Sequence, residues 1–280
     1  MDSIINLGIP HIGELIFENV NTPTLIKCLL VSETWKILAR KVFIKRIKRL
    51  NRKTFEALFW QARKNGRKYV IQLLIETHPN IHPRDANGLT AFMHLCVEGK
   101  KEIVQLLFGH LDPNIDLNAK HNGRTAFMIA CCNGNKYVVQ LLLDHSTPKV
   151  DLNAKDNGGL TAFMWACTFV CKDVVQLLLN NSGRIDLNAR SNTGRTALMI
   201  ACRNGSKDIV QLFLNHSERI ELNARDNDGG TAFMLACYNG QIEVVKLCLD
   251  YSEVLYVNVP KTNQLTQPIK DLFLLKKVRN

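Results

Sequence analysis

Thr90-Ala91-Phe92-Met93 returns four times along this chain. The copies are Thr125-Ala126-Phe127-Met128, Thr161-Ala162-Phe163-Met164, Thr196-Ala197-Leu198-Met199 and Thr231-Ala232-Phe233-Met234. From one threonine to the next the steps are 35, 36, 35 and 35 residues. A cysteine follows each block at the same distance: Cys96, Cys131, Cys167, Cys202 and Cys237. A fixed period in this range indicates stacked supersecondary units rather than one globular core. Such a stack presents surface, so its residues are to be read for a partner before a reaction.

One unit, Ala189 to Asn223, shows the local logic. Asn188-Ala189-Arg190-Ser191-Asn192-Thr193-Gly194 is turn chemistry, with Gly194 supplying the backbone freedom. Thr196 is placed to cap a short helix over Ala197 to Asn204. Gly205 ends that helix as a left-handed cap. Ser206 or Lys207 opens a second helix with Ile209, Val210, Leu212, Phe213 and Leu214 on its face, and Leu222-Asn223-Ala224 leads into the next hairpin. Neither helix can bury its apolar face alone, so the neighbouring repeat must cover it.

This unit resembles the ankyrin repeat, whose usual line runs T-P-L-H-x-A-A-x-x-G-H and then V-V-x-x-L-L. Here alanine replaces the proline, phenylalanine or leucine the leucine, and methionine the histidine. The resemblance implies an all-α solenoid of stacked helix pairs joined by short hairpin turns. Five full units fit within residues 85–257. Residues 54–84 read as a degenerate first helix pair with Gly66 at the inter-helix glycine. Residues 258–280 read as a C-terminal cap, with a polar-faced closing helix from Gln267 to Lys277.

The first fifty residues lack the period. Ile9-Pro10 leads into Ile12, Leu15, Ile16, Phe17 and Val20 at helical spacing. Pro23 restarts the chain, and Leu25, Cys28, Leu29, Val31, Ser32, Trp35, Leu38 and Ala39 follow. One reading is a three-helix extension that caps the array. The other is that residues 1–42 resemble an F-box, the short helical motif that docks onto the Skp-type adaptor of cullin-based, SCF-type ubiquitin ligases. Val20, Leu25, Cys28, Val31, Ser32, Trp35, Leu38 and Ala39 fall in that motif's register, while Ile9 replaces its leucine and the Pro10–Phe17 gap is one residue short. The resemblance implies adaptor contacts at Ile9, Pro10, Ile16, Phe17, Val20, Leu25, Val31 and Trp35, with adaptor and cullin as partners. It makes the array the substrate-holding part of such a ligase. Residues 43–53 read as a basic linker helix, with Phe43, Ile47 and Leu50 on one face. A nuclear-import signal or a patch for an acidic partner is the alternative for that stretch.

Composition bounds the rest. The net charge is +11. Residues 1–70 carry fourteen Lys and Arg against five acids, so the array is close to neutral and nucleic-acid binding by it has little electrostatic support. Met1-Asp2-Ser3-Ile4-Ile5-Asn6 lacks a basic leader, and no apolar run approaches a membrane span. These features lead us to expect a cytoplasmic or nuclear monomer that does not engage membranes. The nine cysteines are odd in number. Equivalent positions on neighbouring helices stand roughly 10 Å apart, beyond disulfide reach, so the repeated five read as small reduced core residues. There is no C-x-x-C and no Cys pair with a His pair at ligand spacing, so neither a metal nor a cofactor is expected. No catalytic motif is legible, and the chain does not read as an enzyme.

In ankyrin arrays the hairpin tips and the exposed side of the inner helices form a concave surface. Against the repeated framework the variable positions stand out. Arg124, Trp165, Phe169, Arg195, Arg203 and Tyr238 are the expected partner-binding residues, since aromatic and arginine side chains carry most interface energy. Trp165 has a second reading as inter-repeat core. Val170 fills the slot held elsewhere by Gly99, Gly134, Gly205 and Gly240. It should either take the left-handed backbone at a cost or let its helix run on.

Overall fold

The computed structural model describes residues 33–77, 84–85, 88–99, 101–109, 116–144, 150–251 and 265–277. Fourteen α-helices lie among them: α1 Glu33–Ile47, α2 Arg52–Lys64, α3 Lys68–Thr77, α4 Ala91–Glu98, α5 Lys101–Gly109, α6 Ala126–Cys132, α7 Lys136–Asp144, α8 Ala162–Thr168, α9 Lys172–Asn180, α10 Ala197–Arg203, α11 Lys207–Leu214, α12 Ala232–Tyr238, α13 Ile242–Asp250 and α14 Gln267–Lys277. Among the described residues there is no strand beyond two isolated bridges. The chain forms two compact units, Met1–Ala91 with Glu102–Ile115, and Phe92–Lys101 with Asp116–Asn280.

In the first unit α1 and α2 both pack on α3. Ala39, Val42, Phe43 and Ile47 of α1 are buried, as are Phe55 and Phe59 of α2 and Val70, Ile71, Leu73 and Leu74 of α3. Arg40 reaches Glu76 at 3.0 Å across this packing. The basic stretch is not the single helix expected over 43–53. α1 runs through from Glu33 and ends at Ile47. Asn51 then takes an extended conformation (φ −73°, ψ 161°) and its Oδ1 accepts the Thr54 N–H at 2.9 Å. A satisfied N-cap of this kind starts a new helix. The pair α2–α3 turns at Gly66, whose φ is 64°.

In the second unit each inner helix packs on the next, α6 on α8, α8 on α10 and α10 on α12. The outer helices α7, α9, α11 and α13 pack likewise in sequence, and α14 covers α13. The Phe273 ring lies 6.3 Å from that of Phe233. The repeated block explains itself here. Thr125, Thr161, Thr196 and Thr231 are extended, and each hydroxyl accepts the N–H of the methionine three residues on at 3.3–3.4 Å. The following Ala-Phe-Met and Ala-Cys residues are nearly all fully buried, with only Met234 half-buried. Each buried Phe contributes roughly 1.5–3 kcal/mol.

Hairpins join the pairs. In the third, fourth and fifth repeats the loop has three central residues, closed by Asp156 N–H to Leu160 O at 3.0 Å, Ser191 N–H to Arg195 O at 3.0 Å and Asp226 N–H to Gly230 O at 2.9 Å. The second repeat is one residue shorter. Asn122 and Gly123 both have positive φ (48° and 78°), and His121 pairs with Arg124. That is a two-residue type I′ turn, the form for which Asn-Gly is best suited.

Polar side chains lock neighbouring repeats together. Asn118, Asn153 and Asn188 accept the N–H groups of Asp151, Asp186 and Glu221 at 2.7–2.8 Å. Asn153 and Asn188 also donate to Arg184 O and Arg219 O. At the hairpins Asn192 and Asn227 donate back to Asn157 O and Asn192 O at 3.0 Å. Among the described residues no helix is long and apolar enough to cross a membrane.

Candidate partner-binding face

The C-terminal ends of the inner helices form a row in the second unit. All four exposed large apolar side chains found among the described residues lie on it: Val97, Phe169, Val170 and Tyr238. Its centre is aromatic. The Trp165 and Phe169 rings stack with centroids 5.7 Å apart and 23° between planes. The Arg124 guanidinium, from the preceding repeat, lies 3.7 Å from the Trp165 ring centroid. Asp156 orients the indole. Its Oδ2 accepts from Trp165 Nε1 at 3.0 Å, and its Oδ1 closes the hairpin through Gly158 N–H and Leu160 N–H, both at 2.8 Å. A buried indole N–H with a partner fixes the ring at little cost. A stacked, partly desolvated guanidinium adds about 0.5–2 kcal/mol.

The third repeat departs from its neighbours at two adjacent slots. Asn133 and Asn239 donate their side-chain amides to Ile129 O and Leu235 O, closing their own helices, and Asn204 donates across to Thr168 O. Phe169 occupies that slot in α8 and cannot make such a bond. Val170 sits at φ 57°, in the left-handed region, with its N–H on Cys167 O and the Cys171 N–H on Ala166 O. The helix therefore keeps the ordinary end and Val170 carries the strain, about 1–3 kcal/mol for a residue with a Cβ. More than half of each side chain is exposed, 55% for Phe169 and 52% for Val170. Replacing Val170 with glycine should stabilise the second unit by about 1 kcal/mol, the gain in strain being offset in part by the greater freedom of unfolded glycine. A denaturant titration checks this, and a loss of stability would remove strain as the explanation.

A third departure lies in the next repeat. In other repeats the residue after the glycine slot reaches back to the preceding inner helix. Asn135 donates to Cys96 O, Cys171 Sγ to Cys132 O at 3.6 Å and Gln241 to Arg203 O at 3.0 Å. The fourth repeat has Ser206 there, too short to reach. Its Oγ is buried without a hydrogen-bond partner.

The structure thus brings Arg124, Trp165 and Phe169 into contact. Trp165 is only 9% exposed and packs as core, with its ring stacked under exposed Phe169. Arg203 is exposed one repeat further on, and Tyr238 is exposed in the fifth. Arg195 is half-buried, with Nε 3.6 Å from the buried Asp226 carboxylate, so it belongs to the hairpin as much as to the surface. Reasoning from sequence alone passed over Asp156, Asp226 and Ser206. The acids had a signal, since Asp85, Asp156 and Asp226 recur at one hairpin position, whereas Ser206 differs only by comparison with its equivalents. Of the expected adaptor contacts, Ile9, Pro10, Ile16, Phe17, Val20, Leu25 and Val31 lie outside the described residues, and Trp35 falls within α1. The five repeated cysteines are buried free thiols, and among the described residues no cluster could hold a metal ion.

The family described as "Ankyrin repeats (3 copies)" matches residues 17–121, 111–191 and 182–259. The chain belongs to the ankyrin-repeat family, and ankyrin repeats make it a protein–protein interaction module. No curated protein matches it.

Proposed function

We propose that the inner-helix row centred on Trp165 and Phe169 is the partner-binding surface of this module. The observation that carries this reading is the exposure of Phe169 and Val170 beside a fixed Arg124–Trp165 stack. Arg195, Arg203 and Tyr238 flank that centre on the same row of repeats. We further propose that the module serves as the substrate receptor of a cullin-based ubiquitin ligase. The F-box-like register from Phe17 to Ala39 would hold the Skp-type adaptor, and the array would hold the substrate. The chain's contribution is then proximity, which converts a bimolecular encounter into a local one. A scaffold role without a ligase is the second reading. It is favoured by the first family match beginning at residue 17, inside the F-box-like segment.

A pull-down from eukaryotic lysate separates the two. The receptor reading expects adaptor and cullin in the eluate, lost when Ile16, Phe17 and Trp35 are changed to alanine. A folded wild-type chain that recovers no adaptor would leave the scaffold reading in its place.

A further inference from the structure

Three positions in the third and fourth repeats hold residues that the local structure disfavours. Phe169 forgoes the cap made by Asn133 and Asn239. Val170 occupies the left-handed slot of glycine. Ser206 leaves a buried hydroxyl without a partner where its equivalents tie two repeats together. Each departure weakens the scaffold, and two of them put apolar surface into water. Local rules broken together, beside exposed apolar side chains, mark a place shaped for contact.

Two arginines flank this knob. Arg124 approaches from the repeat before and Arg203 from the repeat after, and neither guanidinium has an acidic partner among the described residues. Asp156 and Asp226 are consumed inside the hairpins, Asp208 pairs with Lys172 at 3.2 Å, and Asp173 is exposed at the start of α9. Asp156 is held by Gly158, Leu160 and Trp165, while Asp226 is held by Asp228 and Gly230 and faces Arg195. Glu98, the acid of the row, lies at its far end in the first repeat. Resting on the partner-face reading above, we propose that this knob receives an acidic protein segment. An apolar side chain of that segment seats on Phe169 and Val170, and its carboxylates pair with Arg124 and Arg203. Planar guanidiniums suit carboxylates through two parallel hydrogen bonds, and stacking on Trp165 holds that of Arg124 in place.

The test uses the full chain and a phage-displayed library of random peptides. Selection on wild type should enrich peptides of net negative charge with an aromatic or aliphatic residue between the acids. Their affinity should fall about tenfold or more on Phe169→Asn and on Arg203→Glu, and should weaken as salt rises. Phe169→Asn restores the residue that the second, fourth and fifth repeats use, so lost binding there is not lost folding. Lys136→Glu, at the exposed start of α7, should leave binding unchanged. Enrichment of neutral or basic peptides overturns the proposal. So does binding that persists on both variants, which would leave a partner surface elsewhere on the array. A wild type that selects no peptide overturns both this proposal and the partner-face reading.

Discussion

Between pH 8 and pH 10 the second unit should lose stability, by several kcal/mol if each buried thiol costs about 1 kcal/mol. Five buried thiols cause the loss: Cys96, Cys131, Cys167, Cys202 and Cys237. Burial pushes four of them above their ordinary value of 9.0, Cys237 up to about 12. At Cys202 the hydrogen bond with Cys248 is the first cause and burial the second. A thiol whose pKa is raised by folding holds its proton more tightly in the folded state. Stability is then complete below the unfolded value and declines as pH rises toward the folded one. At one pH unit above 9.0 each such thiol costs about 1 kcal/mol, and five such costs are a large part of the stability of an ordinary domain. Denaturant titrations at the two pH values measure the loss. In Cys131→Ala and Cys167→Ala chains the difference between the two pH values should shrink by about 1 kcal/mol each. Comparing each variant with wild type cancels every contribution the chains share. Equal pH differences in wild type and variants would show that the thiols do not govern alkaline unfolding.

Gly194→Ala should cost about 3 kcal/mol or more, and Gly134→Ala only about 1. The two glycines have similar backbones, with φ of 75° and 69°. They differ in what a Cβ would meet. At Gly194 it would stand 2.7 Å from the backbone nitrogen of Asn227, whose N–H donates to Thr193 O at 3.1 Å. The hairpins of the fourth and fifth repeats would have to separate. At Gly134 the new atom would meet Cys171 Sγ at 3.3 Å, a side chain that can turn away. Chemical denaturation of the two variants gives the comparison. Similar losses at both sites would mean that the backbone angle alone, and not the contact between hairpins, sets the cost.

The repeated framework was legible in the sequence because each of its parts has one chemical solution. A threonine with its hydroxyl free caps the inner helix, a glycine ends it, and a fixed apolar face packs it. The unit Ala189 to Asn223 accordingly has helices Ala197–Arg203 and Lys207–Leu214, with Leu212 only half-buried. The closing helix runs from Gln267 to Lys277 as its polar pattern indicates. The basic stretch misled because charge continues across Asn51 while the backbone does not. A capping side chain inside a charged run is visible only once its acceptor is seen engaged. The candidate face was half legible. Phe169 and Val170 stand out as exceptions to a pattern, but the grip of Asp156 on Trp165 within one repeat, and the buried hydroxyl of Ser206 between two, depend on distances that no periodicity encodes.

The rungs between repeats have a direction that bears on how the chain is made. Asn118, Asn153 and Asn188 belong to the earlier repeat and grip backbone groups of the later one. At the hairpins the later repeat reaches back to carbonyl oxygens already in place, as Asn192 and Asn227 do. A ribosome delivers the earlier repeat first. Until its successor emerges, the groups left waiting are side-chain amides and surface carbonyls, all of which water satisfies. The polar rungs of each nascent repeat therefore wait hydrated and in register, and its successor docks on them as it covers the apolar helix face beside them.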